Sequence, residues 1–211
     1  MSRGGFVSSM TSLWLPRFDI YFNELGQQRY AMESVYSILG KAAGVSLDHG
    51  QTIRRLVHKI THSHMVLEQG YQFDIQAFVL EWVQRDLLNI LFGNSDNHGR
   101  NTALLKGDGW IKLAPIYDFA PMKADPEGVA RTTKWQAPLE VGGEYDFQGI
   151  ADSLADLVPA QELMAALKLT ARQCHNLKQR LIARGVPERI IDMPAIGFTY
   201  IEDKLTRWGL V

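Results

Sequence analysis

Residues 94–101 read NSDNHGRN and place Asp96 and Asn101 five apart, with His98 and Arg100 between them. A hairpin-like stretch later, Asp118 follows in Tyr117-Asp118-Phe119, read as a strand-like apolar surround. Transfer of a phosphoryl group from ATP needs such a set. One carboxylate orients the acceptor hydroxyl and takes its proton, while an amide oxygen and a second carboxylate hold magnesium against the phosphates. Magnesium favours hard oxygen ligands, which Asn and Asp supply. Arg100 puts a cation beside Asn101, where it could face the transferring phosphate. Two other uses of the same residues stay open. Asn, Ser, Asp, Gly and His are favoured turn formers, so the run on its own could simply join a helix to a strand. Asp96, His98 and Asp118 could also serve a metal-dependent hydrolase, although no further His or carboxylate stands at ligand spacing.

The elements around this run must hold it. Residues 74–93 carry Ile75, Phe78, Val79, Trp82, Val83, Leu87, Ile90 and Leu91 at helical spacing. Asp74 is placed to cap this helix and Gly93 to end it. After the polar run, TALL, KGDG and WIKLAP predict a hairpin turning at Asp108-Gly109. Upstream, residues 12–22 (SLWLPRFDIYF) read as a strand with Pro16 as an interruption. MESVYSILGKAAG predicts a short helix closed by Gly40 and Gly44, and residues 52–64 a longer one burying Ile53, Leu56, Val57 and Ile60. Past residue 148, Leu154, Leu157, Leu163, Met164, Leu167, Leu169, Leu177, Leu181 and Ile182 are spaced for two or three packed helices. Pro159 and Pro187 mark helix starts, and residues 187–208 a further helix pair. The fold class expected is mostly α with a small β element, as one domain over residues 1–211.

Composition narrows the function classes. The chain has 211 residues and a formal net charge of -1. No overall basic field exists to hold a nucleic-acid backbone, so direct nucleic-acid binding is not expected. The apolar tract near residues 75–93 is interrupted by Glu81, Gln84, Arg85 and Asp86, which argues against a membrane span. The N-terminus lacks an apolar signal-type core. Cys174 is the single cysteine; a chain without internal disulfides fits a cytoplasmic location. Cys174 itself reads as a small buried residue rather than a nucleophile. His58 and His62 lack the HExxH context of a zinc helix. His49 and His175 have no evident partners. Residues 131–135 (RTTKW) read as a solvated loop with a weaker claim to substrate docking. Gly142-Gly143 reads as a turn, and Trp14, Trp82, Trp110 and Trp135 as packing groups.

Taken together, three stretches resemble the C-terminal, kinase-lobe part of HipA-type serine/threonine kinases, the toxins of bacterial toxin–antitoxin modules. LWLPRFD at 13–19 is similar to the family's hinge strand, which ends in R-F-D. NSDNHGRN resembles its catalytic loop, T/N-x-D-x-H-x-K-N, and LAPIYDFAP at 113–121 its metal-binding segment, L-x-P-x-Y-D. The resemblance implies a protein-kinase-like C-terminal lobe, a helical bundle plus a β-hairpin carrying the catalytic loop. It implies Asp96 as catalytic base, Asn101 and Asp118 as magnesium ligands on ATP, His98 shaping the site near the phosphates, and Arg17 and Phe18 lining the adenine side through their backbone. Arg100 replaces the usual lysine, a planar fork in place of a point charge. Pro16 cannot donate the hydrogen bond that a hinge residue with a free N–H would give. The family's N-terminal lobe has no counterpart in residues 1–12. The expectation is therefore a C-lobe alone: either a non-catalytic remnant that binds a partner, or a kinase lobe completed by a separate N-lobe polypeptide. The resemblance further implies a DNA-binding antitoxin as partner and a protein substrate of the aminoacyl-tRNA synthetase kind.

Overall fold

The computed structural model describes residues 15–211. Ser12, Leu13 and Trp14 of the first expected strand lie outside the described residues.

The chain opens with a hairpin of β1 (Ile20–Asn23) and β2 (Gly26–Arg29). The strand expected over 12–22 thus begins only at Ile20. Pro16 supplies no N–H, and Arg17 Nε turns back onto Asp19 Oδ1 at 2.8 Å, so the chain bends before it pairs. Asp19 O then accepts from Tyr30 N at 2.9 Å. Next come β3 (Ala31–Ser34) and α1 (Val35–Leu39). The helix expected from Met32 starts three residues later. Met32 and Glu33 pair with Leu105 and Leu104, and Ser34 caps the helix by accepting from Ser37 N. Gly40, at φ 62, closes it in the left-handed conformation that a side chain would strain.

After β4 (Leu47–Asp48), α2 (His49–Thr61) buries the four expected apolar residues, and α3 (His64–Leu67) follows as one turn. The long helix is α4 (Ile75–Leu91), capped by Asp74 accepting from Ala77 N at 2.9 Å. Its Phe78, Val79, Trp82, Val83, Leu87, Ile90 and Leu91 are buried, each worth about 1.5–3 kcal/mol of burial. The hairpin of β5 (Ala103–Lys106) and β6 (Ile111–Leu113) joins β3 in a three-stranded antiparallel sheet of order β3-β5-β6. Alternation splits the sheet's residues between two cores. Leu104 and Leu113 enter the main one, whereas Ala103 and Leu105, with Ala114, form a small second one against Phe18, Tyr30, Trp110 and Tyr117.

The remaining strands are short. β7 (Thr133–Lys134) pairs in parallel with β4, and β8 (Glu140–Val141) with β9 (Glu144–Tyr145) around Gly142-Gly143. The last third is helical: α5 (Phe147–Ser153), α6 (Ala160–Gln173), α7 (Leu177–Ala183), α8 (Glu188–Ile191) and α9 (Ile201–Arg207). Pro159 and Pro187 stand at the N-caps of α6 and α8. Leu169 and Ile182, expected in the helical core, are instead exposed, because neither of their helices is covered on that side. Gln84 of α4 donates to Thr170 of α6 at 2.9 Å, which fixes the packing of the two longest helices. Helix dominates and the strands are small, as the sequence predicts. No described helix is long and apolar enough to cross a membrane.

Candidate active site

The polar run leaves α4 at Gly93, whose φ of 66 suits glycine and whose missing Cβ leaves room for Ile196. It is then tied down residue by residue. Asn94 donates from its backbone to Asn89 O at 2.8 Å and from Nδ2 to Asn89 Oδ1 at 2.9 Å. Its own Oδ1 accepts from Asp96 N at 3.2 Å. Tyr36 N donates to Gly99 O at 3.1 Å and Val35 N to Thr102 O at 3.0 Å, so the start of α1 holds the loop's far end. Only a glycine fits at 99, because a Cβ there would lie 2.6 Å from the Tyr36 ring.

The expected groups gather unevenly. Asp96 and Asn101 are partly buried in the same loop. Asn101 Nδ2 donates to Asp96 O at 2.9 Å and lies 3.4 Å from Asp96 Oδ2. An NH2 aimed at a carbonyl fixes the amide's orientation, and Asn101 Oδ1 is left with no donor among the described residues. His98 Nε2 lies 3.5 Å from Asp96 Oδ1, each side chain 30% exposed. Asp96 and Asn101 line a small cleft with Arg85, Asn94, Asn97, Tyr117 and Phe119. Arg100 is exposed and its guanidinium pairs with no described residue; its backbone oxygen accepts from Tyr117 Oη. Burial, with Asp118 next to it, pushes the Tyr117 phenol up to about 12, so it stays a donor.

Asp118 departs from expectation. It is exposed and lies outside β6, at a left-handed φ of 51, not within a strand-like apolar surround. The sheet ladder ends before Pro115, and the chain swings the Asp118 carboxylate into the open. Phe18 does reach the site's edge, its ring 5.8 Å from that of Tyr117. The Arg17 side chain pairs with Asp19 on the surface.

Two regions the sequence left aside prove central. His49 is buried against Trp82, Trp135 and Asp86. Trp82 Nε1 donates to its Nδ1 at 2.9 Å, its ring stacks on Trp135, and its Nε2 lies 3.3 Å from Asp86 Oδ1. An indole N–H can only donate, so the proton of this imidazole sits on Nε2, facing the carboxylate. Residues 131–135 are no solvated loop. Thr133 and Trp135 are buried, and Arg131 Nη2 and Trp135 Nε1 both donate to Asp86, at 3.0 and 2.9 Å. Burial by itself would raise the Asp86 carboxyl. Arg131, His49 and Trp135 outweigh it and hold the group well below the usual carboxylate range. The alternation of Arg, Thr and Trp at 131, 133 and 135 was the one local sign that this stretch pairs and packs.

The donor chemistry at the loop fits a magnesium ion: Asn101 Oδ1 and the Asp118 carboxylate are hard oxygens free of protein partners among the described residues. No three His, Cys, Asp or Glu side chains among the described residues converge on one point, so a hydrolase centre of Asp96, His98 and Asp118 is not formed. His58 and His62 stack on each other at 4.2 Å on an exposed surface, and His175 pairs with Glu202 at 3.2 Å. Cys174 is buried, which pushes its thiol up and away from reactivity.

No curated protein matches the chain. Among solved structures, it is similar to a chain of the Shewanella oneidensis MR-1 toxin–antitoxin system HipA, HipB and operator DNA complex, with a TM-score of 0.53 and 17% identity. The match covers 90% of this chain and 48% of that one, so this chain spans about half its length. At that identity the likeness is one of fold. The family described as the HipA-like C-terminal domain matches residues 4–181, and to that family the chain belongs.

Proposed function

We propose that this chain is the C-terminal lobe of a protein serine/threonine kinase that transfers the γ-phosphate of ATP to a protein hydroxyl. The observation that supports this most is the Asn101 amide. Its NH2 is committed to Asp96 O, which leaves Oδ1 free to serve as a metal ligand beside the Asp96 carboxylate. In this reading Asp96 orients the acceptor hydroxyl and accepts its proton, and the His98 imidazole 3.5 Å away steadies that carboxylate. Asn101 and Asp118 would hold magnesium, which when bound neutralises charge on the phosphates. Arg100, exposed beside Asn101, meets the phosphates from the solvent side. Phe18 and Tyr117 form an apolar edge for the base. The covering lobe is to be supplied by chain outside this sequence or by a second polypeptide.

By analogy with the Shewanella complex of HipA, HipB and operator DNA, the partner we propose is a DNA-binding antitoxin, in the cytoplasm where ATP is available. Calorimetric titration with ATP tests the metal assignment. Magnesium should tighten binding at least tenfold in the wild type and leave Asn101→Ala and Asp118→Ala nearly unchanged. Equal magnesium dependence in all three would remove both ligands from the account.

A further inference from the structure

Asp96 lies between two anchored asparagines, and the second anchor has no role in the family resemblance. Asn97 is buried and exchanges four hydrogen bonds with Thr132 and Thr133. Its Oδ1 accepts from both backbone N–H groups, at 3.1 and 3.2 Å, and its Nδ2 donates to Thr133 O at 2.7 Å. Thr133 Oγ1 in turn donates to Asn97 O at 2.7 Å. One side chain thus substitutes for a strand on that face of β7, whose other face pairs with Leu47 and Asp48.

The segment that Asn97 grips is itself held at both ends by one carboxylate. Arg131 and Trp135 each donate to a different oxygen of Asp86, and Thr132 and Thr133 lie between them. Trp135 N and Arg131 also meet Glu140, at 2.9 and 3.3 Å, so the segment cannot slide along its own direction. Asp86 sits on α4 one turn before Asn89, the residue that holds Asn94. Helix α4 therefore grips the loop twice, on either side of Asp96: directly through Asn89–Asn94, and indirectly through Asp86, the 131–135 segment and Asn97.

We infer that Asn97 and Thr133 are positioning residues for Asp96, transmitting the rigidity of α4 and its buried Asp86–Arg131–Trp135 cluster to the proposed base. The inference rests on the kinase reading for its chemical meaning, but the mechanical linkage stands apart from it. A misplacement of about 1 Å in a reacting group costs roughly a hundredfold in rate, and loss of the Asn97 side chain removes three of the four bonds.

The test uses the full chain with Asn97→Ala, Thr133→Val and Thr133→Ser, with two readouts. In amide hydrogen exchange, Asn97→Ala and Thr133→Val should lose protection across residues 95–101 while α4 stays protected, and Thr133→Ser should resemble the wild type. In transfer from magnesium-ATP to the chain itself and to casein, the first two should fall about a hundredfold in kcat, with KM for ATP changed less than threefold. Unchanged loop exchange in Asn97→Ala overturns the linkage, whatever the activity. A loosened loop with undiminished transfer overturns the positioning role. Loosened loops in the variants, beside a wild type that transfers no phosphate either alone or with an added N-lobe polypeptide, leave the linkage standing and defeat the kinase reading instead. A drop in melting temperature, with normal kcat for the folded fraction, reduces Asn97 to a structural group and also overturns the proposal.

Discussion

Asp96 owes its place to neighbours that bond outward: Asn94 to α4, Asn97 to β7, and Gly99 to α1. Gly99 gives the sharpest residue-scale prediction. The Tyr36 ring that a Cβ would strike is tethered by its Oη to Val45 O at 2.6 Å and cannot swing away freely. Gly99→Ala should cost about 1–3 kcal/mol by overpacking, measured by urea denaturation. Stability equal to wild type would show that the loop has slack. The candidate groups of this loop were legible in the sequence, since Asp96 and Asn101 announce themselves by type and spacing. Asn97 did not, because its partners are 36 residues away and made mostly of backbone. Asp118 was read into a strand-like surround that it does not have, because Pro115 ends the ladder before reaching it.

At the scale of elements, α4 is both the core of the fold and the mount of the site. Its apolar face could be read from periodicity alone. Its interruption at Glu81, Gln84, Arg85 and Asp86 read only as polarity, because nothing local says that Asp86 is fully buried or that Arg131 and Trp135 come to meet it. The groups that meet Asp86 there give the fold a pH dependence. The Asp86 carboxyl is held below its ordinary value in the fold, so the folded chain binds fewer protons than the unfolded one in acid. The stability this supplies is complete above the unfolded carboxylate value, near about 4, and is lost as pH falls below it. Chemical denaturation between pH 6 and pH 2 should show a steeper loss for wild type than for Asp86→Asn. Parallel slopes would mean that Asp86 is not the linked group. At neutral pH Asp86→Asn should cost about 3–5 kcal/mol, because it strands a buried Arg131.

For the molecule as a whole, the family match ends at residue 181 but the core does not. Ile191, Ile196, Phe198, Ile201, Leu205, Trp208 and Leu210 are buried in the same cluster as α4. Phe198 meets Phe92 edge-on at 6.3 Å, and Ile196 covers Gly93 at the loop's entrance. A helical tail was legible from leucine spacing; that it closes over the start of the polar loop was not, since Gly93 is a turn signal that says nothing of what lies above it. Leu205→Ala should cost about 2–5 kcal/mol, visible as a lower midpoint in thermal unfolding, and a midpoint within a degree of wild type would detach the tail from the core. The central claim, that this fold carries a phosphotransferase loop, comes down to one carboxylate. The decisive measurement is transfer of labelled phosphate from magnesium-ATP by wild type and Asp96→Asn, each alone and with an added N-lobe polypeptide. The account predicts transfer by the wild type in at least one mixture and a loss of about a thousandfold or more in Asp96→Asn at equal folding. Transfer that survives the substitution, or is absent from every wild-type mixture, would contradict it.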